Sequence, residues 1–188
     1  MNRLHRWVCG SSMWRRHVRK DLIPWVLGGV ELGDEVLEVG PGPGLTTEQL
    51  ARRTARLTAL EIDHRLATRL RERHVGSNVE VIEGDGAAMP FPDRRFSAVT
   101  SFTMLHHVPS VDLQDRLLSE ACRVLRPAGV LAGSDSIGGP LFSLAHWGDT
   151  MVLSNPDTFA ARLEKAGFAD VGVERGRSEF RFRARRPI

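Results

Sequence analysis

Five short apolar runs, four of them followed by a stretch with helical spacing, constrain this chain more than any other feature. "VLEVG", "LTALEID", "NVEVIEGD", "FSAVTSFTML" and "GVLAGSDS" occur in that order. The fourth is almost continuously apolar, as expected for a strand covered on both faces. Helices are predicted from about Thr46 toward Arg53, from His64 to His74, from Leu113 to Leu125, and from Asp157 to Ala166. Thr46 reads as an N-cap, with Gln49 completing a capping box. The segment from Ser12 to Val30 also reads as helical, and Pro24 forces a kink or a break in it. The tail "FADVGVERGRSEFRFRARR" reads as two strands around Arg175–Gly176. Such alternation implies a mostly parallel sheet with right-handed crossovers and helices on both faces. Ligands of these sheets sit outside the carboxyl ends of the strands.

The 188 residues suit one domain, and no run of about 18 apolar residues suggests a membrane helix. The basic N-terminus "MNRLHRWVCGSSMWRRHVRK" is not followed by an apolar stretch, so no signal peptide is expected. Cys9 and Cys122 are isolated, which predicts no metal site and two idle thiols in a reducing cytoplasm. The formal net charge is only +3, although the 26 basic residues include 24 arginines; nucleic acid is not the expected partner. The expected organisation is an N-terminal helical cap over 1–32, a ligand-binding core over 33–135, an acceptor-site lid over 136–155, and a C-terminal helix and hairpin over 156–188.

The loop Gly40–Pro41–Gly42–Pro43–Gly44 joins the first strand to a helix. Glycine permits tight turning and close approach by a ligand. Free N–H groups beside a helix start favour a negative group such as a carboxylate. The two prolines each remove a donor, and GxGxG spacing fits neither GxGxxG nor GxxxxGK[ST]. Glu61 lies 21 positions beyond Gly40, at the end of the second strand, where a carboxylate accepts ribose hydroxyls. Asp85 follows the third strand and suits an exocyclic amine, while Gly86 and Ala87 offer backbone N–H groups. Glu38 suits an ammonium group, or alternatively organises the loop; Asp63 reads as a helix cap. These four demands together describe S-adenosylmethionine.

At this point the motifs carry a resemblance. "VLEVGPGPGLTTEQLA", "LTALEIDHRL", "VIEGDGAAMPFPDRRFSAVTSFTMLHHVPS" and "ACRVLRPAGVL" resemble, in order, the motifs of class I S-adenosylmethionine-dependent methyltransferases. The resemblance runs over roughly Gly33 to Arg185. It implies a doubly wound, Rossmann-like α/β fold: a mostly parallel seven-stranded sheet, helices on both faces, and a C-terminal antiparallel hairpin. It also implies that Glu38, Gly40, Gly42 and Gly44 hold the methionine end, Glu61 and Ile62 the ribose side, Asp85 and Gly86 the adenine, and Ser101 and Phe102 the methionine moiety. The family's DxxFDxV motif is here "DRRFSAV", with Ser97 in place of the second Asp, which unsettles one local contact.

The first half is also similar to ribosomal-RNA adenine dimethyltransferases. Those enzymes follow strand four with an Asn-Leu/Pro-Pro-Tyr type motif, whereas this chain reads "SFTMLHHVPS" and contains no tyrosine. The strand-four text and "RVLRPAGVL" look more like the small-molecule branch that includes quinone-biosynthesis enzymes. The expectation is therefore a cytoplasmic methyltransferase acting on a small apolar or aromatic acceptor. Its rivals are an RNA adenine methyltransferase and a non-catalytic, cofactor-binding regulator.

Transfer from a sulfonium needs alignment first, and a base only where the acceptor must lose a proton. His106 is the candidate base, set against a plain packing role for it and His107. Trp14, Phe142, Trp147 and Met151 are candidate walls for the acceptor, and Gly138–Gly139 a candidate hinge. The alternation of Phe180, Phe182 and Ala184 with Arg181, Arg183 and Arg185 reads as a strand with one solvated, charged face on an exposed edge. The basic N-terminal helix is expected to cover the cofactor cleft.

Overall fold

The computed structural model describes residues 11–139, 142 and 151–188. Cys9 and Trp147 lie outside them. Strands are β1 (Glu35–Val39), β2 (Arg56–Glu61), β3 (Val79–Glu83), β4 (Phe96–Phe102), β5 (Leu125–Ser136), β6 (Ala169–Arg175) and β7 (Glu179–Arg185). Helices are α1 (Ser12–His17), α2 (Ile23–Leu27), α3 (Leu45–Leu50), α4 (His64–Arg73), α5 (Val111–Val124) and α6 (Pro156–Lys165). The sheet has the order β3-β2-β1-β4-β5-β7-β6. Its first five strands run parallel, and β7 pairs antiparallel with both β5 and β6. This is the doubly wound architecture that the alternation predicts. The order reverses between β1 and β4, so their carboxyl ends open at the switch point where such folds bind ligands.

Every residue of β1 from Val36 to Val39 is buried, because helices cover both faces. On one face Leu37 and Val39 join Val99, Leu117, Leu131, Phe159, Phe180 and Phe182. The Phe159 ring stands 5.1 Å from that of Phe180 and 5.0 Å from that of Phe182. Each fully buried side chain of this size contributes about 1.5–3 kcal/mol. On the other face Val36 joins Val18, Leu22, Ile23, Val26, Ala98 and Phe102.

The N-terminal segment needs no sharp break at Pro24. A π-helical stretch, Val18–Leu22, links α1 to α2, and Pro24 falls in the first turn of α2, where its missing N–H costs little. The arginine alternation requires a correction. β7 is an interior strand, and its arginines are not simply solvated. Arg183 Nε donates to the Val26 carbonyl at 2.9 Å and Nη2 to that of Trp25 at 3.0 Å. Arg181 reaches Trp25 and Glu174. Two residues of β7 thus clamp the N-terminal helices onto the sheet. Ser97 replaces the contact that the missing aspartate put in question: its hydroxyl accepts from Glu35 N at 3.0 Å and lies 2.7 Å from the Leu32 carbonyl.

Candidate active site

At the end of β1 the chain turns through Gly40, Gly42 and Gly44 with φ of +67°, +54° and +85°, a region that disfavours any residue with a Cβ. Gly40 N–H donates to the Leu60 carbonyl at 2.9 Å, and Gly44 N–H to that of Pro41 at 3.0 Å. Gly44, not Thr46, precedes the first turn of α3. Thr46 and Thr47 instead donate their hydroxyls to the two oxygens of Glu38, which is 1% exposed. A buried carboxylate on the preceding strand therefore outcompetes the local capping box. Burial pushes the Glu38 carboxyl up to about 7, against the downward pull of the two hydroxyls.

Glu61 closes the loop from the neighbouring strand. Its Oε2 accepts the Gly42 N–H and its Oε1 the Asp63 N–H, both at 2.9 Å. Burial raises its pKa, and these backbone donors partly oppose that rise. Each oxygen retains acceptor capacity beyond the one bond it makes. Asp63 caps α4, accepting from Arg65 and Leu66 as the sequence implied. Ile62 is exposed beside Glu61. Asp85 lies exposed after β3, with Oδ1 accepting the Ala87 N–H at 2.8 Å. A Cβ on Gly86 would stand 2.9 Å from Leu117 and 3.0 Å from Val39, so this turn passes close to β1.

Ser101 is buried beside Val39, and among the described residues its hydroxyl has no hydrogen-bond partner. Its neighbour Phe102 points to the opposite layer, among the N-terminal helices. A cradle of positive-φ glycines, a buried carboxylate with spare lone pairs and an orphaned hydroxyl fits a ligand carrying hydroxyl, amino and carboxylate groups.

Past β4, Thr103 adopts φ +48°, a strained value for a β-branched residue, and leads into a 3₁₀ turn, Leu105–His107. His106 is 2% exposed, and its ring lies 4.2 Å from that of His107 and 5.1 Å from Phe142. Its Nδ1 is 2.5 Å from Oδ1 of Asp135, at the end of β5. Sequence reasoning missed Asp135. The available signal was a carboxylate within a strand that both faces cover. A cavity of about 470 Å³ opens between α1 and the start of β7, lined by Trp14, His17, Asp21 and Glu179. Met151 is half-buried.

The profile described as "Methyltransferase domain" matches residues 37–133, more than half of the chain. This chain belongs to the methyltransferase domain family. The methyltransferase is 36% identical over 117 residues to the fatty-acid O-methyltransferase of Mycolicibacterium smegmatis, covering 61% of this chain and 41% of that protein. It is 35% identical over 124 residues to the demethylmenaquinone methyltransferase of Tropheryma whipplei, covering 64% and 47%. A shorter match, 48% identical over 68 residues and covering 34% and 23%, links it to ribosomal RNA small subunit methyltransferase A of Deinococcus radiodurans. The first two matches span less than half the length of those relatives. A crystal structure from Pyrococcus horikoshii OT3 superposes with TM-score 0.81 at 17% identity, covering 95% of this chain and 94% of that one. Family and fold make the chain a class I methyltransferase whose cofactor is S-adenosylmethionine.

Proposed function

We propose that this methyltransferase transfers a methyl group to a small apolar or aromatic acceptor. The observation that carries the reading is the ring cluster of His106, His107 and Phe142 just past β4, two residues beyond Met104, whose side chain packs where a Cβ on Gly40 would stand. When bound, the cofactor supplies a methyl group on a sulfonium that leaves as a neutral thioether. In this reading Glu61 accepts ribose hydroxyls, with Ile62 beside it. The N–H groups of the Gly40–Gly44 loop take the cofactor's carboxylate. Glu38 favours the ammonium group through the loop it anchors. Asp85 and Gly86 meet the adenine; the Ser101 hydroxyl and the neighbouring Phe102 segment flank the methionine end. Alignment of this kind supplies about 7–11 kcal/mol of barrier lowering. The names of the two longer relatives, which refer to a fatty acid and a demethylmenaquinone, support a small acceptor. A cytoplasmic setting belongs to the same proposal, in keeping with Cys122 as a free, buried thiol.

A second reading, RNA methylation, is favoured by the ribosomal RNA methyltransferase match over 68 residues. The strand-four text and the absence of tyrosine weigh against it. A cell extract incubated with the protein and a radiolabelled methyl donor separates these readings. Label in a low-mass organic product supports the proposal. Label in the RNA fraction, with binding that collapses as salt is added, supports the second reading. Cofactor binding without transfer to any fraction marks a non-catalytic binder.

A further inference from the structure

Asp135 and His106 are 29 residues apart in sequence and come from different strand ends, yet both are almost fully buried and share a 2.5 Å hydrogen bond. A carboxylate oxygen accepts from the imidazole N–H, so neutral His106 holds its proton on Nδ1 and its lone pair on Nε2. The second oxygen of Asp135, Oδ2, has no partner among the described residues. A buried carboxylate left partly unsatisfied is costly unless it faces positive charge. An imidazolium formed on His106 supplies that charge.

The turn carrying His106 is held firmly. Val152 N–H donates to the His106 carbonyl at 2.9 Å. Gln114 Nε2 donates to the Leu105 carbonyl at 3.0 Å and to that of Val152 at 2.7 Å. Gln114 is itself oriented by Ser154 at 3.1 Å and by Arg162 at 3.0 Å, and Arg162 pairs with Asp115 at 2.7 Å. Thr103 N–H ties the same segment to Ser134 on β5 at 2.8 Å. This many restraints on one imidazole suit a group that must point in one direction.

We propose that Asp135 positions His106 as proton acceptor, and that the methyl acceptor is therefore a weakly acidic hydroxyl, of phenol or enol type, and not a carboxylate. The inference rests on the methyl-transfer reading above. The proton passes from the hydroxyl to Nε2 of His106, while Asp135 keeps its hydrogen bond to Nδ1. The electron pair released on the acceptor's oxygen, or on the carbon conjugated with it, forms the new bond to the methyl group as the sulfur–methyl bond breaks and leaves its pair on the neutral thioether. After attack through carbon, the hydrogen of that carbon moves as a proton to the oxygen and restores the phenol or enol. The imidazolium then returns its proton to solvent. A carboxylic acid is already ionised near neutral pH and needs no such base, whereas a phenol, at about 10, does.

Nitrogen-15 NMR of the full chain, labelled at histidine and loaded with S-adenosylhomocysteine, reads the dyad without turnover. Neutral His106 is expected as the Nδ1–H tautomer, and Asp135→Asn is expected to change that tautomer while leaving ligand affinity within about threefold. An Nε2–H tautomer in the unaltered chain, or an unchanged tautomer in Asp135→Asn, overturns the proposal. Should Asp135→Asn fail to fold, the tautomer of the unaltered chain and the turnover of His106→Gln carry the test. Turnover is read on the low-mass product labelled from cell extract. That product should keep its label through mild alkali, as an ether or ring-methyl compound does, and both variants should lower kcat by about 10²–10⁴-fold with little change in the cofactor KM. An alkali-labile methyl ester, an N-methyl product or full turnover in His106→Gln overturns this inference and leaves methyl transfer standing. Failure to bind S-adenosylhomocysteine, or binding with no transfer to any product, overturns the underlying reading and the inference with it.

Discussion

The Thr47 hydroxyl donates to Oε2 of Glu38 at 2.6 Å, with both residues sealed from water beneath the glycine loop. This bond joins the first turn of α3 to the strand that precedes it, and it places an ionisable group in the core. Burial, opposed by the two threonine hydroxyls, raises the Glu38 pKa to about 7 from an ordinary 4.5. The folded state thus holds this proton more tightly than the unfolded chain does. The stability it contributes is fully present below about pH 4.5 and is lost as pH rises through about 7. Denaturant melts of the unaltered chain and Glu38→Gln should show a stability gap that moves in the variant's favour by up to about 3 kcal/mol between pH 5 and 8. A gap that does not change with pH contradicts this account of Glu38.

Arg183 bridges β7 to the carbonyls of Trp25 and Val26, and the bonds are charge-assisted and partly shielded. Arg183→Ala should cost about 1–3 kcal/mol. It should also speed tryptic cleavage at Arg15, Arg16, Arg19 and Lys20, since the N-terminal helices lose a clamp. Limited proteolysis followed by mass spectrometry checks this. Unchanged stability with unchanged cleavage there would remove the clamp from the account.

Gly133 sits where β4 and β5 meet beside Ser101. A Cβ there would lie 2.2 Å from the Ser101 carbonyl oxygen and 2.5 Å from the Phe182 ring, and backbone cannot swing aside. Gly133→Ala should destabilise by about 1–3 kcal/mol or more. Gly172 in β6 has open space at the same position, so Gly172→Ala should be neutral or stabilise by up to about 1 kcal/mol. Thermal melts of the pair test the packing at the β4–β5 seam, and equal effects would contradict it.

The strand–helix alternation was legible because apolar period and turn residues are local signals. Asp63 was recognised as a cap for the same reason. What escaped the sequence depends on partners that only the folded sheet brings together. Thr46 looks like an N-cap until Glu38 is seen beneath it. Arg181 and Arg183 look solvated until the helix carbonyls of Trp25 and Val26 arrive from more than 150 residues away. Asp135 looks like a polar interruption of β5 until the sheet brings it to His106. Glu61 was legible as a strand-end carboxylate, but the Gly42 N–H that it accepts was not, since that bond requires the loop to fold back onto β2.

The central claim is that Glu61 and the Gly40–Gly44 loop cradle the cofactor, and calorimetry with S-adenosylhomocysteine tests it most directly. Specific binding is expected in the unaltered chain, weakened about 10- to 100-fold in Glu61→Ala by the loss of charge-assisted bonds. Binding that is absent from the unaltered chain, or equally tight in the variant, would contradict it.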